Sequence, residues 1–175
     1  MTRSEWAQTL HAEFRTLDIR QVAHVPDAGH AELIRLCEAD PQVACVSLTT
    51  EEEGVALLAG AWLGGQRGAL LLQSSGVGNC INMLTLPRET RMPLLMLVTM
   101  RGEWGEFNPW QVSMGRATPR VLEDAGVEVY RVERAEDVVP TVSAGARLAF
   151  HTSRMVAVLI GQRVIGSKDF NRRED

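Results

Sequence analysis

Glu51, Glu52 and Glu53 stand in a row in SLTTEEEGVALLAG, residues 47–60, between an apolar run and a stretch of small residues. Two kinds of chemistry are open to them. Acids in the first turn of a helix favour its dipole, and Thr50 with Glu53 three residues later has the spacing of a capping box. That explains acidic residues here without requiring three. Successive helical residues point roughly 100° apart, so the three side chains cannot share one face. At least one is expected to turn toward the strand end behind it. A carboxyl there is partly desolvated, which favours its protonated form and suits it to donating a proton or hydrogen bond near neutrality.

Three other stretches hold candidate groups. In QSSGVGN, 73–79, two glycines follow an apolar run, which permits either a plain strand-to-helix turn or close approach of a ligand. Ser74, Ser75 and Asn79 there could face a ligand or cap the helix. In HVPDAG, 24–29, His24 and Asp27 could act chemically, or Asp27 and Gly29 could simply make the turn. A lone histidine is the more common structural residue. The segment RGEWGEFNPWQVSMG, 101–115, holds three of the nine aromatic residues, as expected of a self-packed loop, a lid or an interface.

The elements that must position these groups alternate along the chain. Apolar runs at 19–25, 43–48, 68–74, 93–99, 127–132 and 155–160 read as strands, several of them buried on both faces. Helical stretches lie at 4–17, 29–39, 51–64, 78–90, 116–125 and 135–152, with Pro140 in the first turns of the last. This alternation predicts an α/β fold, a doubly wound, mostly parallel six-stranded sheet with helices on both faces. One domain is expected over 1–165, with a polar tail over 166–175. In such folds the ligand crevice lies outside the carboxyl ends of the strands, where all the candidate stretches fall.

The composition narrows the class. The 175 residues are 45% hydrophobic and 23% charged, an ordinary globular balance. No apolar run reaches membrane-spanning length and no signal-peptide core opens the chain, so a cytoplasmic protein is expected. A net charge of −4 without a basic block argues against nucleic acid. Cys37, Cys45 and Cys80 are scattered and odd in number, as reduced core thiols would be. His11, His24, His30 and His151 show no metal-ligand spacing, and no metal site is expected in this chain. The basic residues are seventeen arginines and one lysine. Arginine suits bidentate anion recognition, but coding bias explains the excess more simply.

The stretches EEEGVALLAGAWLGG, LLQSSGVGNCINMLTLP, RGEWGE and QVSMGRATPRVLEDAGV together resemble the pyrimidine-binding domain of thiamine diphosphate-dependent decarboxylases, over roughly 19–160. The RGE loop and MGRAT are similar to the sulfopyruvate/phosphonopyruvate decarboxylase branch, in the form of its small α subunit. The resemblance implies that Glu52, two residues before Gly54, is the activating glutamate. In that family this carboxyl hydrogen-bonds N1′ of the cofactor's aminopyrimidine, favouring the imino tautomer that deprotonates the thiazolium. It implies contacts to the cofactor from Ser75, Gly76, Gly78 and Asn79. It places Asp27, Arg101 and Gln111 toward the substrate, a small anionic 2-oxo acid. Many such decarboxylases carry histidines in the loop region, and this chain has none between His30 and His151.

The resemblance also implies a partner. Relatives bind the diphosphate through Mg²⁺ with a GDG…N motif on a second domain, and no GDG occurs here. A β subunit is therefore expected to carry the diphosphate and Mg²⁺ site, in an α2β2 or larger assembly. Exposed apolar surface around Trp104–Trp110 and Trp62 would serve that contact. The alternatives are a two-chain carboligase or acyl-transfer enzyme on the same scaffold, and a non-catalytic regulatory α/β subunit.

Overall fold

The computed structural model describes residues 3–166; of the expected tail at 166–175, only Gly166 lies within them. Six strands form one parallel sheet: β1 (Ile19–His24), β2 (Ala44–Ser47), β3 (Arg67–Gln73), β4 (Leu94–Thr99), β5 (Glu128–Val132) and β6 (Met155–Ile160). Their order across the sheet is β2-β1-β3-β4-β6-β5. The central strands β3, β4 and β6 are almost wholly apolar because both faces are covered, whereas β2 and β5 are edge strands with polar and half-exposed positions.

Alternation along each strand splits the core in two. Ala69, Leu71, Leu95, Leu97, Val156 and Val158 face α1 (Arg3–Thr16), α2 (Ala31–Ala39) and α7 (Val138–Thr152). Leu70, Leu72, Leu94, Met96, Val98, Ala157 and Leu159 face α3 (Glu51–Leu63), α4 (Ser74–Cys80), α5 (Thr85–Thr90) and α6 (Pro109–Asp124). A short 3-10 turn, Ala135–Asp137, leads into α7, and α8 (Gln162–Ile165) follows β6. Because β2 lies on one side of β1 and β3 on the other, the topology reverses between β1 and β3. A crevice opens beyond the carboxyl ends of strands at such a point.

Three expectations are corrected here. The helix expected at 78–90 is two helices, α4 and α5, joined by a turn, and α4 begins at Ser74. The irregular segment expected at 101–115 ends at Asn108, which caps α6 through Trp110 N–H at 3.1 Å, with Pro109 in the first turn where its missing N–H costs nothing. Trp62 is not part of an exposed apolar surface: it is half-buried against the α1–α7 core and stacks on Phe150, with ring centroids 6.2 Å apart.

Candidate active site

The three glutamates occupy three different environments. Glu53 closes the expected capping box, accepting from Thr50 N–H at 3.3 Å and from Thr49 N–H at 2.9 Å. Glu51 is the buried one, with 8% of its surface exposed. It accepts a 2.7 Å hydrogen bond from Asn79 Nδ2 and packs on the bare Cα of Gly76. A buried carboxylate is tolerated here because it lies at the positive end of α3 and is hydrogen-bonded. Glu52 is exposed at the rim and makes no hydrogen bond or salt bridge among the described residues.

This arrangement gives the glycine pair a packing account. A Cβ on Gly76 would come within 2.3 Å of Glu51 Oε1, and one on Gly78 would touch Met114 of α6 at 3.5 Å. The glycines let α4 settle between α3 and α6. Gly76 and Glu51 are 25 residues apart, so no local pattern marks their contact. Ser75 is half-buried and Asn79 exposed, both on α4 near Glu51. Cys80, at the end of the same helix, is pushed up to about 12 by burial and then by the charges of Glu51 and Glu52, so it stays a thiol and is no nucleophile.

A second cluster spans the ends of the central strands. Gln73 and Thr99 are paired across β3 and β4. Both donate to Asp27, Gln73 Nε2 to Oδ1 at 2.9 Å and Thr99 Oγ1 to Oδ2 at 2.5 Å. Burial opposes the charge on Asp27. The pull of His30 and hydrogen bonds from Thr99, Gln73 and Gly29 N–H outweigh it, and the carboxyl lies below its usual range. His30 is fully buried, with Nε2 at 3.0 Å from Leu97 O, and burial lowers its pKa. His24 is also buried and held toward its neutral form by burial, in keeping with a structural role for both histidines.

The loop after β4 is rigidly built. Arg101 pairs with Glu106 through Nε at 2.6 Å and Nη2 at 2.7 Å. Glu106 also accepts from Gly102 N–H, Asn108 N–H and Gln162 Nε2. The Arg101 hydrogen bonds come first among the causes that hold Glu106 down at about 2. Two of the three nitrogens of Arg101 are thereby committed within the chain. Gln111, half-buried on α6, has a buried Oε1 with no partner among the described residues. Structure thus brings Glu52, Ser75, Gly76, Gly78 and Asn79 together on α3 and α4. Asp27 and Arg101 join them at the strand ends. Gln73, Thr99 and Glu106 complete the constellation and were missed, since their roles depend on strand register.

Among the described residues, no group of three or more His, Cys, Asp or Glu side chains is placed to hold a metal, and no helix is long and apolar enough to cross a membrane. No protein-family model matches the chain. Its fold superposes with TM-score 0.66 on an X-ray structure described as a thiamin diphosphate-dependent enzyme from Mycobacterium smegmatis, 18% identical, over 99% of this chain and 34% of that one. That likeness shows the fold: a parallel α/β domain of the kind found within that enzyme. Sequence narrows it: the chain is 32% identical to the sulfopyruvate decarboxylase subunit alpha of Methanothermobacter thermautotrophicus over 155 residues, 88% of this chain and 94% of that one. It is 33% identical to the phosphonopyruvate decarboxylase of Streptomyces viridochromogenes over 94% of this chain but only 42% of that protein. The chain belongs to the sulfopyruvate decarboxylase α-subunit family, whose relatives are carboxy-lyases.

Proposed function

We propose that this chain is the α subunit of a cytoplasmic two-chain decarboxylase acting on a small anionic 2-oxo acid of the sulfopyruvate or phosphonopyruvate kind. The observation that carries the reading is Glu52: a carboxyl exposed at the rim of the crevice with no hydrogen-bond or ion-pair partner among the described residues, beside Glu51, which is buried and hydrogen-bonded to Asn79. A lone acceptor on a rigid helix start fits a protonatable ring nitrogen, so the residues present suit the pyrimidine end of thiamine diphosphate. They do not suit its diphosphate, since among the described residues no group of three or more His, Cys, Asp or Glu side chains is placed to hold a metal ion.

Thiamine diphosphate, when bound, supplies the electron sink for cleavage of the carbon–carbon bond. Glu52 would hold a proton against the ring nitrogen, and Ser75, Gly76, Gly78 and Asn79 of α4 would contact the pyrimidine. Asp27 and Gln111 face the substrate side, and the remaining nitrogen of Arg101 is the one left to meet an anion. A β subunit supplies the diphosphate and Mg²⁺ site, which fits the 58% of the Streptomyces protein that has no counterpart here. Site and partner then form one α2β2 or larger assembly.

The test is to purify this chain with and without its partner and follow consumption of sulfopyruvate, phosphonopyruvate and pyruvate in the presence of thiamine diphosphate and Mg²⁺. Activity is expected only from the pair, with loss in Glu52→Gln. Full activity from the isolated chain overturns the split site, and undiminished activity in the variant overturns the role of Glu52.

A further inference from the structure

The segment after β1 crosses the carboxyl ends of β3 and β4, and Asp27 spans them both. Its two oxygens accept from Gln73 and Thr99, the last cross-strand pair of those strands. Thr99 is fully buried. The Gln73 amide is fixed the right way round because Ser75 Oγ donates to its Oε1 at 3.0 Å, leaving Nε2 to donate to Asp27. Crowding fixes the segment further: a Cβ on Gly29 would meet Thr99 Cγ2 at 2.6 Å and Asp27 Oδ2 at 2.8 Å. We propose that Gln73 and Thr99 are positioning residues for the reaction, fixing Asp27 as an oriented, ionised carboxylate in the wall of the crevice, with Ser75 holding Gln73. This rests on the proposed function only in assigning Asp27 to the substrate side.

The chemistry follows from the donors. Both oxygens of Asp27 accept hydrogen bonds that favour the charged form. The pull of His30 acts in the same direction, ahead of the hydrogen bonds from Thr99, Gln73 and Gly29 N–H. Asp27 in turn adds a little to what keeps Arg101 charged, after the hydrogen bonds and charge of Glu106. A carboxylate held this way is a poor proton donor. The acid that completes turnover is therefore another group, and Asp27 contributes fixed negative charge. Beside a bound 2-oxo acid, that charge disfavours the substrate carboxylate relative to the neutral carbon dioxide it becomes, a difference that raises kcat and KM together.

The experiment uses Thr99→Val, which keeps the buried shape, and Gln73→Ala, at a half-buried position, so that one misfolded variant does not decide the matter. Carbon-13 carboxyl NMR of the isolated chain, assigned with Asp27→Asn, follows the Asp27 titration without cofactor or partner. Both variants are expected to shift it to higher pH. In the two-chain enzyme the acidic limb of kcat/KM is expected to move the same way, with kcat and KM both lowered at neutral pH in Asp27→Asn. An unmoved Asp27 titration in both variants overturns the positioning. A titration that moves while the pH profile of an active enzyme stays put overturns the catalytic use of Asp27, with the proposed function intact. If the wild-type pair consumes no 2-oxo acid, the proposed function fails by itself and the NMR comparison still decides the positioning.

Discussion

Glu51 Oε2 accepts a 2.7 Å hydrogen bond from Asn79 Nδ2, tying the first turn of α3 to the last turn of α4. The same carboxylate occupies the space that any side chain at position 76 would need, with its Oε1 2.3 Å from a Cβ built there. Two helices from opposite sides of β3 in sequence are thereby locked at one height above the sheet. The lock depends on a buried charge, a glycine and an amide acting together.

Gly76→Ala must therefore expel the carboxylate or shift α4. An overpacked site of this kind, with a buried hydrogen bond broken, is expected to cost about 1–3 kcal/mol in urea unfolding. Adding Glu51→Ala makes room for the new methyl. The double variant should be more stable than the sum of the two single losses, a coupling that a double-mutant cycle measures directly. Strict additivity would contradict the lock.

Glu52 and Glu53 should separate stability from function. Glu52 has no partner to lose, so Glu52→Gln is expected to leave the urea midpoint unchanged while lowering decarboxylation by the two-chain enzyme about 100-fold or more. Glu53 caps α3, so Glu53→Ala should cost about 1 kcal/mol and leave turnover nearly intact. Measuring both properties on both variants checks the pair. A shared loss of activity would mean that the helix start acts as a unit.

The Arg101–Glu106 pair is buried, with side-chain exposures of 11% and 3%. Removing one partner leaves the other charge uncompensated, so Glu106→Ala is expected to cost about 3–5 kcal/mol at neutral pH. The pH dependence has a definite sign. Glu106 titrates at about 2 in the folded chain, below an unfolded carboxyl near 4.3. Its contribution is present above the unfolded value and lost as pH falls from about 4 toward 2. The stability gap between wild type and Glu106→Gln should narrow over that window, which unfolding curves taken across it will show.

The sheet was legible in the sequence because β3, β4 and β6 are buried on both faces, and such strands must be nearly continuous apolar runs. The expected strands match the observed ones to within one or two residues at each end. What escaped was set by tertiary contact. The start of α4 at Ser74 runs against the poor helix propensity of its two glycines, which packing on Glu51 and Met114 overrides. The burial of Glu51 over Glu52 depends on the helix's rotation about its axis, which three identical residues cannot reveal. The start of α6 is marked in the sequence itself, by a capping Asn108 followed by Pro109 in the first turn. Gln73, Thr99 and Glu106 earn their places through register and loop closure, and no local motif marks them.

The loop between β4 and α6 displays its aromatics on a fixed frame. Glu106 accepts from Arg101, Gly102, Asn108 and Gln162, and Gln162 Oε1 accepts from Glu103 and Trp104 N–H at 2.9 and 3.0 Å. Trp110 is 85% exposed at the start of α6, and Phe107 47% exposed beside it. Large apolar side chains on a rigid loop lose little entropy on association, which suits a docking surface better than a moving lid. Trp110→Ala is expected to change folding stability by less than about 0.5 kcal/mol. It should weaken binding to the β subunit by about 2 kcal/mol, roughly 30-fold in Kd by calorimetric titration. Leu63 supplies the control: it is 73% exposed at the far end of α3, and Leu63→Ala should leave the affinity unchanged. Equal losses in both variants, or none in Trp110→Ala, would place the partner on another face.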